Sequence, residues 1–172
     1  IYGWTSELAI KHNYDVKILN LVELEYSDGW DILGEVRNSP EKAAQLARII
    51  IDNTGGKDTR DFWADAEENL LKSIVLLKSV GLADISNKTG KEQTMREVWE
   101  FMTLSDDDMK RVFDVLEDNF PFHPAVIPFK EFWRADKIRG QIIHGLANRL
   151  QLFQDIKLSK VLGTPEIDLT AP

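Results

Sequence analysis

Gly55-Gly56-Lys57-Asp58-Thr59 carries the glycines and lysine of a phosphate loop, the backbone cradle that holds a nucleotide's phosphates. A working loop of that kind needs glycine, lysine and a hydroxyl residue in direct succession after a strand. Here Asp58 follows the lysine, where its charge would repel a phosphate, and helical periodicity precedes the glycines. A helix end followed by a loop is the expectation. Asp106-Asp107-Asp108 could gather a cation, but acids in the first turn of a helix are favourable against its dipole and cap its free N–H groups. That plainer reading is adopted. His12, His123 and His144 are far apart and lack the spacing of metal ligands, so no metal site is expected. Cysteine is absent, which excludes a thiolate site, a disulfide and a cysteine nucleophile. No serine–histidine–acid set or carboxylate pair can be justified by spacing, and no catalytic residue is assigned.

Recognition is better supported than catalysis. Between Lys130 and Lys160 seven basic residues face three acidic ones, a window of +4 in a chain of formal charge −8. The remainder is therefore at −12, which argues against broad non-specific binding to DNA and suits basic protein partners. Lys130, Arg134, Lys137, Arg139 and Arg149 could follow a phosphate backbone, with Trp133 interleaved among them to stack a base. Phe62, Trp63, Trp99, Phe101, Phe113 and Phe132 are instead expected in the core. His144 joins the candidates because it falls on the polar face of a glycine-containing helix, where a surface or interhelix hydrogen bond is the ordinary account.

The elements that must position these residues are mainly helical. A helix covers 1–12 and a strand 14–22, with Val16, Ile18 and Leu21 among polar neighbours. Residues 23–38 read as a loop around Gly29 and Trp30. Ser39-Pro40-Glu41 opens a helix with a serine cap, a proline at the first position and an acid in the first turn, ending near Asn53. From Thr59 to Val80, Trp63, Ala66, Leu70, Ile74 and Leu77 form one stripe that Leu71, Val75 and Leu76 broaden, which predicts the most buried helix. Residues 81–93 are turn-rich. Thr94-x-x-Glu97 and Ser105-x-x-Asp108 resemble capping boxes for helices near 94–103 and 105–118. Pro121, Pro124 and Pro128 break the region that follows. A long helix near 135–154 then sets Ile138, Ile142, Leu146, Leu150 and Phe153 against a polar stripe of Lys137, Gln141, His144, Asn148 and Gln151. Gly140 and Gly145 lie inside it, each costing about 1 kcal/mol relative to alanine, so close packing or an accessible backbone is expected there. A short helix over 156–162 follows. Size and composition fit one soluble domain with a real core, and no apolar run approaches the length that spans a bilayer.

The wording of Arg139 to Phe153, RGQIIHGLANRLQLF, resembles the helix that closes the all-helical domain of TraG-like coupling proteins, the conjugative DNA-transfer ATPases of type IV secretion systems. Ile1-Tyr2-x-x-Thr5-Ser6 resembles the helix after a motor-domain strand in that family, and Tyr14 to Leu21 its next strand. Ser27-Asp28-Gly29-Trp30-Asp31 resembles the tryptophan turn after it, and Glu166 to Pro172 the return to the motor's sheet. The resemblance implies an excised fragment: residues 1–38 from the nucleotide-binding motor domain, 39–163 the all-alpha domain, and 164–172 the return. The fold class it implies is mainly α, a helical bundle with a short α/β stub at the termini. Such a domain is a cytoplasmic lid on a homo-hexameric motor anchored in the bacterial inner or cell membrane. It chooses cargo by contacting the relaxase or accessory proteins of the relaxosome and also touches the motor domain of its own protein. ATP and Mg would belong to the parent protein. The fragment, lacking the phosphate loop and the acidic metal-binding strand, would bind no cofactor, would not be an enzyme, and would be monomeric. Arg139 and Arg149 match the family-like helix and would contact the motor domain or the DNA path, or else form structural salt bridges. The alternative function is direct single-stranded DNA binding through the basic 130–160 segment.

Overall fold

The computed structural model describes residues 2–37, 39–55, 62–79 and 93–169. Helices α1 (Tyr2–Lys11), α2 (Ile32–Glu35), α3 (Pro40–Thr54), α4 (Phe62–Ser79), α5 (Met95–Phe101), α6 (Asp106–Asn119), α7 (Val126–Trp133), α8 (Arg139–Arg149) and α9 (Ile156–Val161) are joined by three 3-10 turns at Leu24–Tyr26, Asp136–Ile138 and Gln151–Gln154. The chain is mainly α, a helical bundle.

Helix α4 is the axis of the body. Ala66, Leu70, Leu71, Ile74, Val75, Leu76 and Leu77 are all buried, so apolar side chains leave it on nearly every side. Each of the leucine, isoleucine and valine side chains contributes about 1.5–3 kcal/mol by leaving water. Helices α3, α7 and α8 pack along α4, and α2 and α5 touch it as well. The two serines within it, Ser73 and Ser79, remain satisfied by donating to Leu70 O and Val75 O at 2.7 Å each. Trp63 departs from the expected stripe: it sits in the first turn beside Phe62, and the two residues are 41% and 62% exposed.

The start signals hold. Ser39 Oγ accepts from Lys42 N, with Pro40 in the first turn of α3. Thr94 N donates to Glu97 Oε2 at 2.8 Å ahead of α5, and Ser105 Oγ accepts from Asp108 N at 3.1 Å ahead of α6. Four expectations need correction. Residues 14–22 form no strand, and none of the described residues does. A strand needs a neighbouring ladder, and here local groups take its place: Ile18 N donates to Asp28 Oδ2 at 2.6 Å, and Asn20 N to Ser27 Oγ at 2.9 Å. The terminal stub is therefore helical and irregular, without β structure among the described residues. The loop expected over 23–38 contains α2, whose cap Asp31 accepts from Gly34 N at 2.8 Å. Pro128 does not break the chain but lies in the first turn of α7, where a missing N–H removes no helical bond. The long helix near 135–154 is in fact α8 between two 3-10 turns. The 81–92 part of the expected loop and all but Gly55 of the Gly55–Thr59 motif lie outside the described residues.

Both ends of the body meet. Trp30 N donates to Val161 O at 2.7 Å and Ile32 N to Leu162 O at 3.2 Å. Gly29 N donates to Glu166 Oε2 at 2.6 Å, while Glu166 N and Ile167 N both donate to Gly29 O. Gly29 is required by this clasp, since a Cβ there would lie 2.5 Å from Thr164 Cβ and 2.6 Å from its carbonyl oxygen. Gly140, by contrast, has nothing within 4 Å of a Cβ. Gly29→Ala is expected to lower stability by about 1–3 kcal/mol in urea unfolding. Gly140→Ala should be neutral or stabilising by up to about 1 kcal/mol; equal effects would mean that the clasp is not part of the cooperative fold.

Candidate functional site

The glycine-containing helix α8 buries Ile142 and Leu146, followed by Leu150 and Phe153, and turns Lys137, Gln141, His144, Asn148 and Gln151 to solvent. Its two family-like arginines are both engaged within the chain. Arg149 Nε donates to Glu67 Oε2 at 2.5 Å, across from α4, and the Glu67 side chain is only 7% exposed. Arg149 Nη1 also approaches Thr54 Oγ1 at 3.4 Å and Ile51 O at 3.5 Å, in the last turn of α3. A cation at that position is favoured by the helix's free carbonyls. One guanidinium thus ties three helices together. Gly145 belongs to the same arrangement, because a Cβ there would lie 2.2 Å from Glu67 Oε1. The close packing expected of a mid-helix glycine is present at Gly145 and absent at Gly140.

Arg139 lies over the Trp133 ring, its guanidinium carbon 3.7 Å from the ring centre. Nη2 donates to Trp133 O at 3.1 Å and to Asp136 Oδ1 at 2.8 Å, and Nη1 lies 3.5 Å from Asp106 Oδ2. Below Trp133 the aromatic side chains continue as a column. Phe129 stacks on it at 5.3 Å, Phe113 stacks on Phe129 at 3.7 Å, and Phe101 meets Phe113 edge-on at 6.0 Å. Arginine over tryptophan, itself continuous with the core, is a cation–π contact of about 1–2 kcal/mol when partly desolvated. The Trp133 face beneath Arg139 is closed to a nucleic-acid base unless the guanidinium leaves.

The remaining candidates lie at the surface. Lys130 pairs with Glu117. Arg134 and Lys137 are exposed and make no ion pair among the described residues. His144 Nε2 lies 3.2 Å from Asn148 Nδ2, an exposed hydrogen bond one helical turn away. Two acids of the Asp106–Asp108 run serve the fold, Asp106 toward Arg139 and Asp108 toward Arg111 and Ser105. At the far end of α4, burial lowers the pKa of Lys78, opposed by the nearby Glu97 and Glu100 carboxylates. Charging a lysine whose folded pKa is lowered costs stability below that pKa. The loss is recovered as the pH rises from the lowered folded value to the ordinary unfolded one.

Sequence reasoning missed Glu67, Asp136 and Glu117 as partners of the basic residues. Asp136 left a local signal, three residues before Arg139, and Glu67 left one as a carboxylate four residues after Trp63 and three before Leu70 on a stripe that is otherwise apolar. The set offers ion pairing, hydrogen bonding and a cation–π contact, and it gathers no nucleophile beside a base. No family model, curated protein or solved structure matches the chain.

Glu67→Ala is expected to destabilise the chain by about 3–5 kcal/mol, because it leaves Arg149 without its buried counter-charge. Gly145→Ala should lower the urea midpoint despite alanine's better helix propensity. A neutral Gly145→Ala would show that Glu67 can move aside at no cost.

Proposed function

We propose that this chain is the substrate-docking all-alpha domain of a conjugative DNA-transfer coupling ATPase, flanked by residues of its motor domain. Its contacts in this reading are with the relaxase or the accessory proteins of the relaxosome. The observation that carries the proposal beyond the resemblance is the clasp of Asp28–Ile32 with Val161–Ile167. It brings the entry and exit of the helical body to one place, the requirement for a domain inserted into another. A second observation points the same way. Among the described residues, the buried apolar core begins only at Leu33, while Leu8, Ile10, Tyr14, Leu21, Val22 and Tyr26 stand exposed ahead of it. An apolar surface of this kind is what a neighbouring motor domain would cover. The surface charge suits a basic partner by complementary potential, which speeds encounter and selects among partners.

ATP and Mg are assigned to the motor domain in this reading, and the parent protein to a hexamer at the cytoplasmic face of the cell membrane. No described helix is long and apolar enough to cross a membrane.

Direct binding of single-stranded DNA is the second reading, favoured by Arg134 and Lys137, the exposed and unpaired cations beside Trp133. Against it stand the internal engagement of Arg139, Arg149 and Lys130 and the guanidinium over Trp133. Fluorescence anisotropy of labelled single-stranded DNA at low and near-physiological salt separates the two. The docking reading expects no binding near physiological salt, together with saturable binding to a relaxase or relaxosome accessory protein. Tight, salt-sensitive DNA binding that Arg134→Glu/Lys137→Glu abolishes would replace docking by the DNA reading. Those two positions are the informative ones, since Arg139→Ala and Arg149→Ala would disturb the fold along with any contact.

A further inference from the structure

Helices α6 and α7 leave a cleft of about 370 Å3 between them. That volume lies at the low end of the roughly 300–1,000 Å3 of small-molecule sites. Phe113, Val126, Phe129 and the half-buried Trp133 give the cleft an apolar lining. The Trp133 ring is fixed by the Arg139 guanidinium, 3.7 Å from its centre, and by stacking on Phe129, so this lining exists before any ligand arrives. Three cations, Lys110, Lys130 and Arg134, share the cleft with two carboxylates, Asp114 and Glu117. Lys110 donates to Asp114 Oδ1 at 2.7 Å along α6, and Lys130 reaches across from α7 to Glu117. Arg134, just past the end of α7, is exposed and makes no ion pair among the described residues.

Those side chains decide what the cleft accepts. Both lysines already have their carboxylates, so the set stands at +1 and the spare cation is Arg134. Its planar fork matches a carboxylate. A monoanion balances the charge, whereas a phosphate monoester at about −1.5 to −2 would exceed it. A small hydrated anion gains nothing from the apolar lining, and a cation would be repelled by the guanidinium. We propose that the cleft binds a carboxylate attached to an aromatic body, with the ring against Trp133 and Val126 and the carboxylate on Arg134. Two sources share that chemistry, a free aromatic acid and the C-terminal aromatic residue of a polypeptide. The inference goes beyond the coupling-protein reading and does not rest on it, because α6, α7 and the residue after α7 supply the whole site.

The test is an NMR titration of the 15N-labelled chain, followed at the indole N–H of Trp133, which Trp133→Phe identifies among the five tryptophans. Phenylpropanoate should move that signal and saturate in about the millimolar range, as suits so small a ligand. Its neutral amide should bind about tenfold more weakly, and inorganic phosphate should leave the signal in place. Arg134→Gln should weaken the acid about tenfold. Lys137→Gln, at an exposed cation outside the cleft, should change its affinity by less than about twofold. Both positions are at the surface, and circular dichroism confirms that the variants fold. A tetrapeptide ending in phenylalanine, compared with its C-terminal amide, separates the sources. Tighter binding than that of phenylpropanoate supports a polypeptide C-terminus, and weaker binding a free acid. No saturable shift with either acid, equal affinity for acid and amide, a shift with phosphate alone, or full affinity in Arg134→Gln would overturn the assignment. So would an equal loss in Lys137→Gln, which would reduce the effect to the general charge of the surface.

Discussion

A carboxylate buried among helices has to meet a cation, and in this chain that requirement determines how three helices sit together. Glu67 stands on the buried axis helix, Arg149 reaches it from the end of α8, and the same guanidinium lies at the last turn of α3. Desolvating both charges is expensive, so the pair adds less net stability than its short distance suggests. What it supplies is register. Sliding α8 by one turn along α4 would part Glu67 from Arg149 and would bring a side chain where Gly145 now makes room for the carboxylate. Gly55 belongs to the same constraint, since a Cβ there would lie 3.2 Å from Arg149 Nη1.

A second guanidinium is used differently. Arg139 closes the outer end of the aromatic column that runs from Phe101 through Phe113 and Phe129 to Trp133, and Asp106 and Asp136 hold it there. The column ties α5, α6 and α7 to the start of α8. It converts what looks in sequence like an aromatic and basic nucleic-acid surface into a packed corner. Of the candidate basic residues around that corner, Arg134 and Lys137 stay exposed and make no ion pair among the described residues. Four of the six acids of α6 are engaged as well, Asp106 by Arg139, Asp108 by Arg111, Asp114 by Lys110 and Glu117 by Lys130.

The ends of the chain follow another logic. Helix α1 finishes cleanly, with Asn13 in the left-handed conformation, Tyr14 N donating to Ala9 O and Asn13 N to Ile10 O. Yet none of its described side chains joins the apolar core. The segment after it is held by side chains of Asp28, Ser27 and Asn20 instead of by a ladder.

Much of this architecture is legible in the sequence because it rests on local physics. Serine, threonine and aspartate caps at residues 39, 94, 105 and 155 begin helices where their side chains can meet free N–H groups. The width of the apolar stripe on α4 announces a helix surrounded on most sides. What sequence could not decide is which charges are spent inside the fold. Arg134 and Arg139 look alike in the chain, but only one lies within reach of Trp133, Asp106 and Asp136. Arg149 and Glu67 are separated by 82 residues, and nothing local links them. A strand at 14–22 reads plausibly from its alternation, yet a strand is completed by a neighbour, and none of the described residues provides one. Local periodicity and capping are properties of short windows, whereas ion pairing, ring stacking and sheet formation depend on distances that exist only after the helices have packed.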